Sequence, residues 1–220
     1  MTRNLTFGRR GAPRGSATGL VAFLHGYGAN GADLLGLADV LAGTLPGAAF
    51  VAPDAPDPCR GSPMGRQWFP IPWLDGSSEV AAGTGLARSA DDLNAFLDAR
   101  LADEGLAPSA LVLVGFSQGA MMALHVAPRR GEAVAGIVAI SGRLLVPDRL
   151  TREARVRPPV LLIHGDEDPV VPFADMGIAG NTLVAAGFET FGHVMHGTGH
   201  GIAPDGLGAT LGFLKERLPG

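Results

Sequence analysis

Ala110-Leu111-Val112-Leu113-Val114, Gly115-Phe116-Ser117-Gln118-Gly119 and Ala120-Met121-Met122-Ala123-Leu124 run on without a gap, and they read as strand, tight turn and helix. A turn that sharp forces its central residue into a strained backbone conformation and brings the strand and helix backbones close together. Glycine is therefore needed on both sides, while the serine hydroxyl projects outward. In a chain with 33 glycines the pentapeptide by itself proves little. Its position between an apolar strand and an apolar helix is what marks it as a nucleophile elbow.

Outward from the elbow, short apolar runs alternate with amphipathic stretches, the pattern of a mostly parallel sheet covered by helices on both faces. The expected strands are Leu20 to Leu24, Ala48 to Ala52, Ala110 to Val114, Val134 to Ile140, Val160 to His164 and Thr190 to Met195. The expected helices are Leu34 to Ala42, Leu86 to Ala102, Gln118 to Val126, Ala174 to Ala186 and Asp205 to Leu218, with Gly43, Gly105 and Gly187 as C-terminal stops. Nothing divides the 220 residues, 46% of them hydrophobic, so residues 1–220 form one α/β domain. From Pro53 to Thr84 neither a helical nor a strand period is visible. That long loop carries Met64, Trp68, Phe69 and Trp73 among turn-forming residues, and loops of this length are usually functional when they hold large aromatic side chains.

A serine hydroxyl is a poor nucleophile near neutral pH and needs a base within hydrogen-bond reach, itself oriented by a carboxylate. His164-Gly165-Asp166-Glu167-Asp168-Pro169 follows a predicted strand and puts carboxylates at the sheet edge where parallel sheets gather catalytic groups. Asp168 is preferred as the acid, with Asp166 open as an alternative or as a brace of the loop. The base comes from His196-Gly197-Thr198-Gly199-His200; His200, between Gly199 and Gly201, is the better candidate, since His196 directly continues a strand. His193 and His125 lie within predicted elements and read as structural. The chain order is serine, acid, histidine. His25-Gly26-Tyr27-Gly28 ends another strand, and such a turn can aim a backbone N–H at a developing oxyanion; the N–H groups of Tyr27 and Gln118 are the expected hole.

Composition narrows the partners. The net charge is −4, and the basic residues, all arginine except Lys215, form no stripe with interleaved aromatics, so nucleic acid is not an expected partner. Apolar runs are strand-sized, far below the roughly 20 residues that span a bilayer, so no membrane insertion is expected. Cys59 has no second cysteine with which to pair, and no secretory h-region follows Met1; a cytoplasmic location is expected. The residues leave the oligomeric state open, a homodimer among the options.

With Leu24-His25-Gly26-Tyr27-Gly28, Gly115-Phe116-Ser117-Gln118-Gly119-Ala120, His164-Gly165-Asp166-Glu167-Asp168-Pro169-Val170-Val171-Pro172 and Gly199-His200 in view, the sequence resembles the α/β-hydrolase superfamily. More narrowly, it resembles the phospholipase/carboxylesterase family, which includes the acyl-protein thioesterases. The resemblance implies that the aspartate before the proline, Asp168, is the triad acid and that the last histidine before the C-terminal helix, His200, is the base. It also implies an α/β-hydrolase fold with a loop in place of a large cap domain. Gln67-Trp68-Phe69 looks like the aromatic part of that loop. Many relatives carry an acidic residue after the Trp-aromatic pair, where this chain has Pro70, followed by Ile71-Pro72-Trp73. The expected activity is that of a serine carboxylesterase for short or medium acyl chains, working through an acyl-enzyme without a metal or organic cofactor. Met64, Trp68, Phe69 and Trp73 are the expected wall of the acyl site. Lysophospholipase or acyl-thioester hydrolase activity is the runner-up, and a non-catalytic binding module the rival of another class. A dienelactone-type hydrolase would call for a cysteine where Ser117 stands.

Overall fold

The apolar strand runs seen in the sequence pair side by side, and the alternation of their side chains divides the core into two layers. A computed structural model describes residues 2–59, 62 and 64–219. Among them, seven strands form one sheet in the order β1-β3-β2-β6-β7-β8-β9: β1 (Phe7–Gly11), β2 (Gly19–Leu24), β3 (Ala48–Pro53), β6 (Leu111–Phe116), β7 (Gly136–Ile140), β8 (Val160–Gly165) and β9 (Thr190–Met195). All neighbours are parallel except β1, which runs antiparallel to β3 at one edge. A separate two-residue ribbon joins β4 (Asp57–Pro58) to β5 (Arg66–Gln67).

Leu20, Ala22, Leu24, Leu111, Leu113 and Leu162 point to one face of the sheet. There they meet α4 (Glu79–Glu104), α5 (Gln118–Val126) and α7 (Ala174–Ala185). Val21, Phe23, Val112, Val114, Leu161 and Ile163 point to the other, against α1 (Gly31–Leu35), α2 (Leu37–Leu41) and α8 (Pro204–Arg217). A parallel sheet buried on both faces needs apolar residues at every position rather than at alternate ones, which is why its strands read as continuous runs. Of two single-turn helices, α3 (Pro72–Asp75) buries no residue, whereas α6 (Leu150–Glu153) adds Leu150 to the first layer. No described helix is long and apolar enough to cross a membrane.

The structure departs from the sequence reading at several points, among them the β4–β5 ribbon and α3 inside the stretch from Pro53 to Thr84, where elements of two and four residues are too short to show a period. β1 was not expected, because Phe7-Gly8-Arg9-Arg10-Gly11 is an edge strand that buries no complete side. The single helix expected from Leu34 to Ala42 is two short turns divided at Gly36; Asn30 caps the first, its side chain accepting the Ala32 N–H at 2.9 Å while Asp33 accepts the Asn30 N–H at 2.8 Å. Finally, α4 starts at Glu79 rather than Leu86. Its first turns are exposed and include Gly83, so they carry no apolar period. The signal that marks the start is Ser78, whose hydroxyl accepts the Ala81 N–H at 3.1 Å. The long loop therefore ends at Ser78. Arg60, Gly61 and Pro63 of that loop lie outside the described residues.

Candidate active site

Ser117 stands between β6 and α5 with φ 53° and ψ −117°, a conformation L-residues rarely adopt and one that persists only where the surroundings impose it. The surroundings are two backbones in contact. A Cβ at Gly119 would collide with the Leu24 carbonyl of β2, and one at Gly115 with the Gly119 carbonyl, so glycine is required at both positions. The Ser117 N–H donates to the Ile140 carbonyl at the end of β7 at 2.8 Å, which fixes the elbow to the neighbouring strand.

The loops after β8 and β9 meet beside this serine. The Glu167 N–H donates to the Thr198 carbonyl at 3.1 Å, tying the two loops together. His200 Nε2 lies 2.9 Å from Ser117 Oγ, and His200 Nδ1 lies 2.7 Å from Asp168 Oδ2. With the proton on Nδ1 donated to the carboxylate, Nε2 is left to accept the serine O–H. The other carboxylate oxygen, Oδ1, accepts the backbone N–H groups of Val170 at 2.8 Å and Val171 at 2.9 Å. Burial alone would push the Asp168 carboxyl up, but the hydrogen bonds from His200, Val171 and Val170 outweigh it and hold it below the usual range. Phe116 places its ring 5.0 Å from that of His200, supporting the imidazole on one side.

Asp166 and His196 form a second pair at 2.7 Å, with the Gly197 N–H on the other Asp166 oxygen, also at 2.7 Å. This pair is exposed and has no bond to Ser117, so Asp166 braces the two loops. The His193 ring, at 2.8 Å from Asp205, does the same between β9 and α8.

The turn after β2 lies against the elbow: a Cβ on Gly26 would sit 3.2 Å from Ser117 Cβ. His25 shapes that turn. Its buried ring donates from Nδ1 to the Gly26 carbonyl at 2.7 Å and accepts the Ala55 N–H on Nε2 at 2.9 Å. Burial pushes its pKa down, consistent with a neutral ring that can accept on Nε2. Tyr27 follows, half-buried on the larger core layer. The Gln118 N–H belongs to the first turn of α5, where helix amides have no partner within the helix.

The four side chains expected to form an acyl wall are not brought to one surface. Trp68 has no accessible surface. Its indole N–H donates to the His25 carbonyl at 2.9 Å, and its backbone N–H donates to Gln118 Oε1 at 2.8 Å. The Trp68 carbonyl accepts the Ser89 hydroxyl, and the Phe69 carbonyl accepts Gln118 Nε2–H at 2.7 Å. The expectation that Trp68 lines the acyl site is therefore corrected: an indole with its N–H satisfied inside is a brace that holds the loop to the elbow. Phe69 is buried beside it, while Met64 and Trp73 are 85% and 64% exposed. Trp73 carries the Arg143 guanidinium 5.3 Å from its ring centre, and Arg143 bonds Asp175 on α7 at 2.9 and 2.5 Å. Sequence reasoning did not find the Gln118 side chain, His25 or Arg143. Their partners are distant in the chain, and only the quoted strings around His25 and Gln118 pointed to the place. Among the described residues, no group of three or more His, Cys, Asp or Glu is arranged to hold a metal ion.

Residues 11–218 match the family model described as phospholipase/carboxylesterase. Acyl-protein thioesterase 1 of Saccharomyces cerevisiae is 31% identical over 211 residues, covering 90% of this chain and 92% of that protein. Esterase YpfH of Escherichia coli is 26% identical over 208 residues, 94% of this chain and 87% of its own. Among solved structures, that of esterase PE8 superposes with a TM-score of 0.92 at 42% identity, covering 98% of this chain and all of that one.

Proposed function

The chain belongs to the phospholipase/carboxylesterase family of α/β-hydrolases, and we propose that it is a serine carboxylesterase acting through an acyl-enzyme. The observation that carries this reading is the continuous chain of contacts from Ser117 Oγ through His200 to Asp168, at 2.9 and 2.7 Å, on an elbow that holds the serine at φ 53°. Ser117 Oγ attacks the ester carbonyl as its proton passes to His200 Nε2. Asp168 stabilises the imidazolium so formed, and the N–H groups of Tyr27 and Gln118 hold the oxyanion. His200 then gives its proton to the departing alcohol. Water attacks the acyl carbonyl as it loses a proton to the same nitrogen, and when the Ser117 Oγ–acyl bond breaks, His200 returns that proton to Oγ, releasing the acid and restoring Ser117.

With Trp68 and Phe69 turned inward, the large apolar side chains that the loop leaves exposed are Met64, Trp73 and Leu74. A short or medium acyl chain remains the proposed substrate, with exposed Met64 and Trp73 as the loop side chains left free to contact it. The similarity to the yeast acyl-protein thioesterase supports a second reading, cleavage of acyl thioesters, for which the same groups suffice.

Rapid mixing with p-nitrophenyl butyrate should give a burst of one nitrophenolate per chain, and quenched samples should carry a butyryl group on the peptide containing Ser117. Linear release with no acylated peptide would count against an acyl-enzyme whose breakdown is slow. Comparing p-nitrophenyl esters of increasing length with an acyl thioester and a lysophospholipid separates the two substrate readings.

A further inference from the structure

His164, in the string that identifies the acid, plays no part in the chemistry above, yet it lies directly behind that acid. It is the fifth residue of β8, on the same face as Val160 and Leu162, and is almost fully buried. Its Nε2 is 3.0 Å from the Val171 carbonyl oxygen and 3.3 Å from Asp168 Oδ2. A carbonyl only accepts, so Nε2 carries a proton and donates it to Val171. The positive end of that N–H also faces Oδ2, the oxygen that takes the His200 N–H from the other side. The Phe173 ring, edge-on at 6.1 Å, packs against the imidazole.

We infer that His164 is a positioning residue of the triad: it fixes the Val171 carbonyl and places a second N–H dipole on Asp168 Oδ2. Two effects follow from the geometry. Holding Val171 keeps the Val170 and Val171 amides aimed at Oδ1, so the carboxylate cannot rotate away from His200. Placing a positive dipole beside Oδ2 disperses the carboxylate charge, so Asp168 stabilises the imidazolium enough to orient it without holding the proton there. The titratable groups facing this network are Asp168 and His200; the Asp166–His196 pair lies at the outer side of the same loops, and the Arg143–Asp175 pair at the start of α7.

The inference rests on the esterase reading, and Ser117→Ala separates the two: an active Ser117→Ala enzyme removes the reading itself. Given an inactive Ser117→Ala, the test compares His164→Gln, whose amide N–H can reach the position of Nε2, with His164→Asn, whose amide N–H stops near Nδ1. The readouts are kcat, KM, the pH profile of kcat/KM and Tm. His164→Asn should lose about 10- to 100-fold in kcat with KM little changed, an effect of the size seen when groups orienting a ligand are removed. Its acid limb should move to higher pH, because an undispersed carboxylate binds the imidazolium more tightly. His164→Gln should recover kcat to within a few-fold and restore the limb. If His164→Asn does not fold, His164→Phe gives the same comparison. Equal losses in both variants with an unmoved or lowered limb and a reduced Tm would make His164 a structural residue only. Wild-type kinetics in His164→Asn would equally overturn the inference.

Discussion

Two histidine–aspartate pairs bridge the loops after β8 and β9 with the same 2.7 Å bond, Asp168–His200 and Asp166–His196, and they differ in what surrounds them. In the inner pair the carboxylate is fully buried and the histidine side chain 17% exposed; in the outer pair the values are 29% and 84%. The inner histidine continues to Ser117, and the outer one ends in solvent. Bond length therefore does not decide which pair can do chemistry. Exclusion of water does, because an ion pair or charge-assisted bond in solvent is screened to a small net value, whereas a buried carboxylate acts on its partner at low dielectric. Both carboxyls are held below their usual range, Asp166 chiefly by the His196 hydrogen bond, so a lowered pKa does not separate them either.

The largest effect should come from cutting the link that only the inner pair has. Ser117→Ala should lower kcat by about 10⁶, as in other triads, with the fold retained because alanine fits the elbow. Next, Asp168→Asn should cost about 10⁴ in kcat by removing the charge that orients His200. Asp166→Asn should stay within a few-fold of wild type. Comparable rate losses in the two aspartate variants at equal Tm would break the comparison.

A third prediction extends the inside–outside contrast to the loop. Trp68→Ala should destabilise the protein by about 3 to 5 kcal/mol, the usual cost of emptying a buried aromatic site, and lower activity on all esters together. Trp73→Ala should change stability little. It should instead alter the ranking of esters by acyl size, by about 1 to 3 kcal/mol at most. Melting curves and the ester panel read both.

A last prediction concerns pH. His125 is held at about 4 by burial and the nearby Arg129, and burial also lowers His25. The unfolded chain binds these protons more readily, so stability is complete above about pH 6.5 and falls as pH drops toward 4. The carboxylates add a further loss at lower pH, as each titrates through its lowered folded value. Tm should thus decline in two stages, with His125→Leu flattening the first.

Much of the fold was legible because a doubly covered parallel sheet writes its strands as uninterrupted apolar runs: the fully buried β2 and β8 differ from the bounds expected of them by one residue each. β1 left no such trace, since an edge strand with Arg9 and Arg10 has no apolar run. The places of Ser117, Asp168 and His200 could be read because each follows a strand or lies between glycines. The direction of Trp68 could not. An indole among prolines and glycines reads equally well as a pocket wall or a brace, and the carbonyl of His25 and the side chain of Gln118 decide it only once the chain has folded. His164 was quoted for its motif but not assigned a role, for the same reason.

Whether water exclusion, and not pairing, makes His200 rather than His196 the proposed base is read from the rate at which a fluorophosphonate labels Ser117 in His200→Ala and His196→Ala, followed by peptide mass at one pH. Labelling should run at the wild-type rate in His196→Ala and at least about a hundredfold slower in His200→Ala, general-base assistance being worth about 10² to 10⁴. Slow labelling in His196→Ala with unchanged labelling in His200→Ala would contradict that assignment.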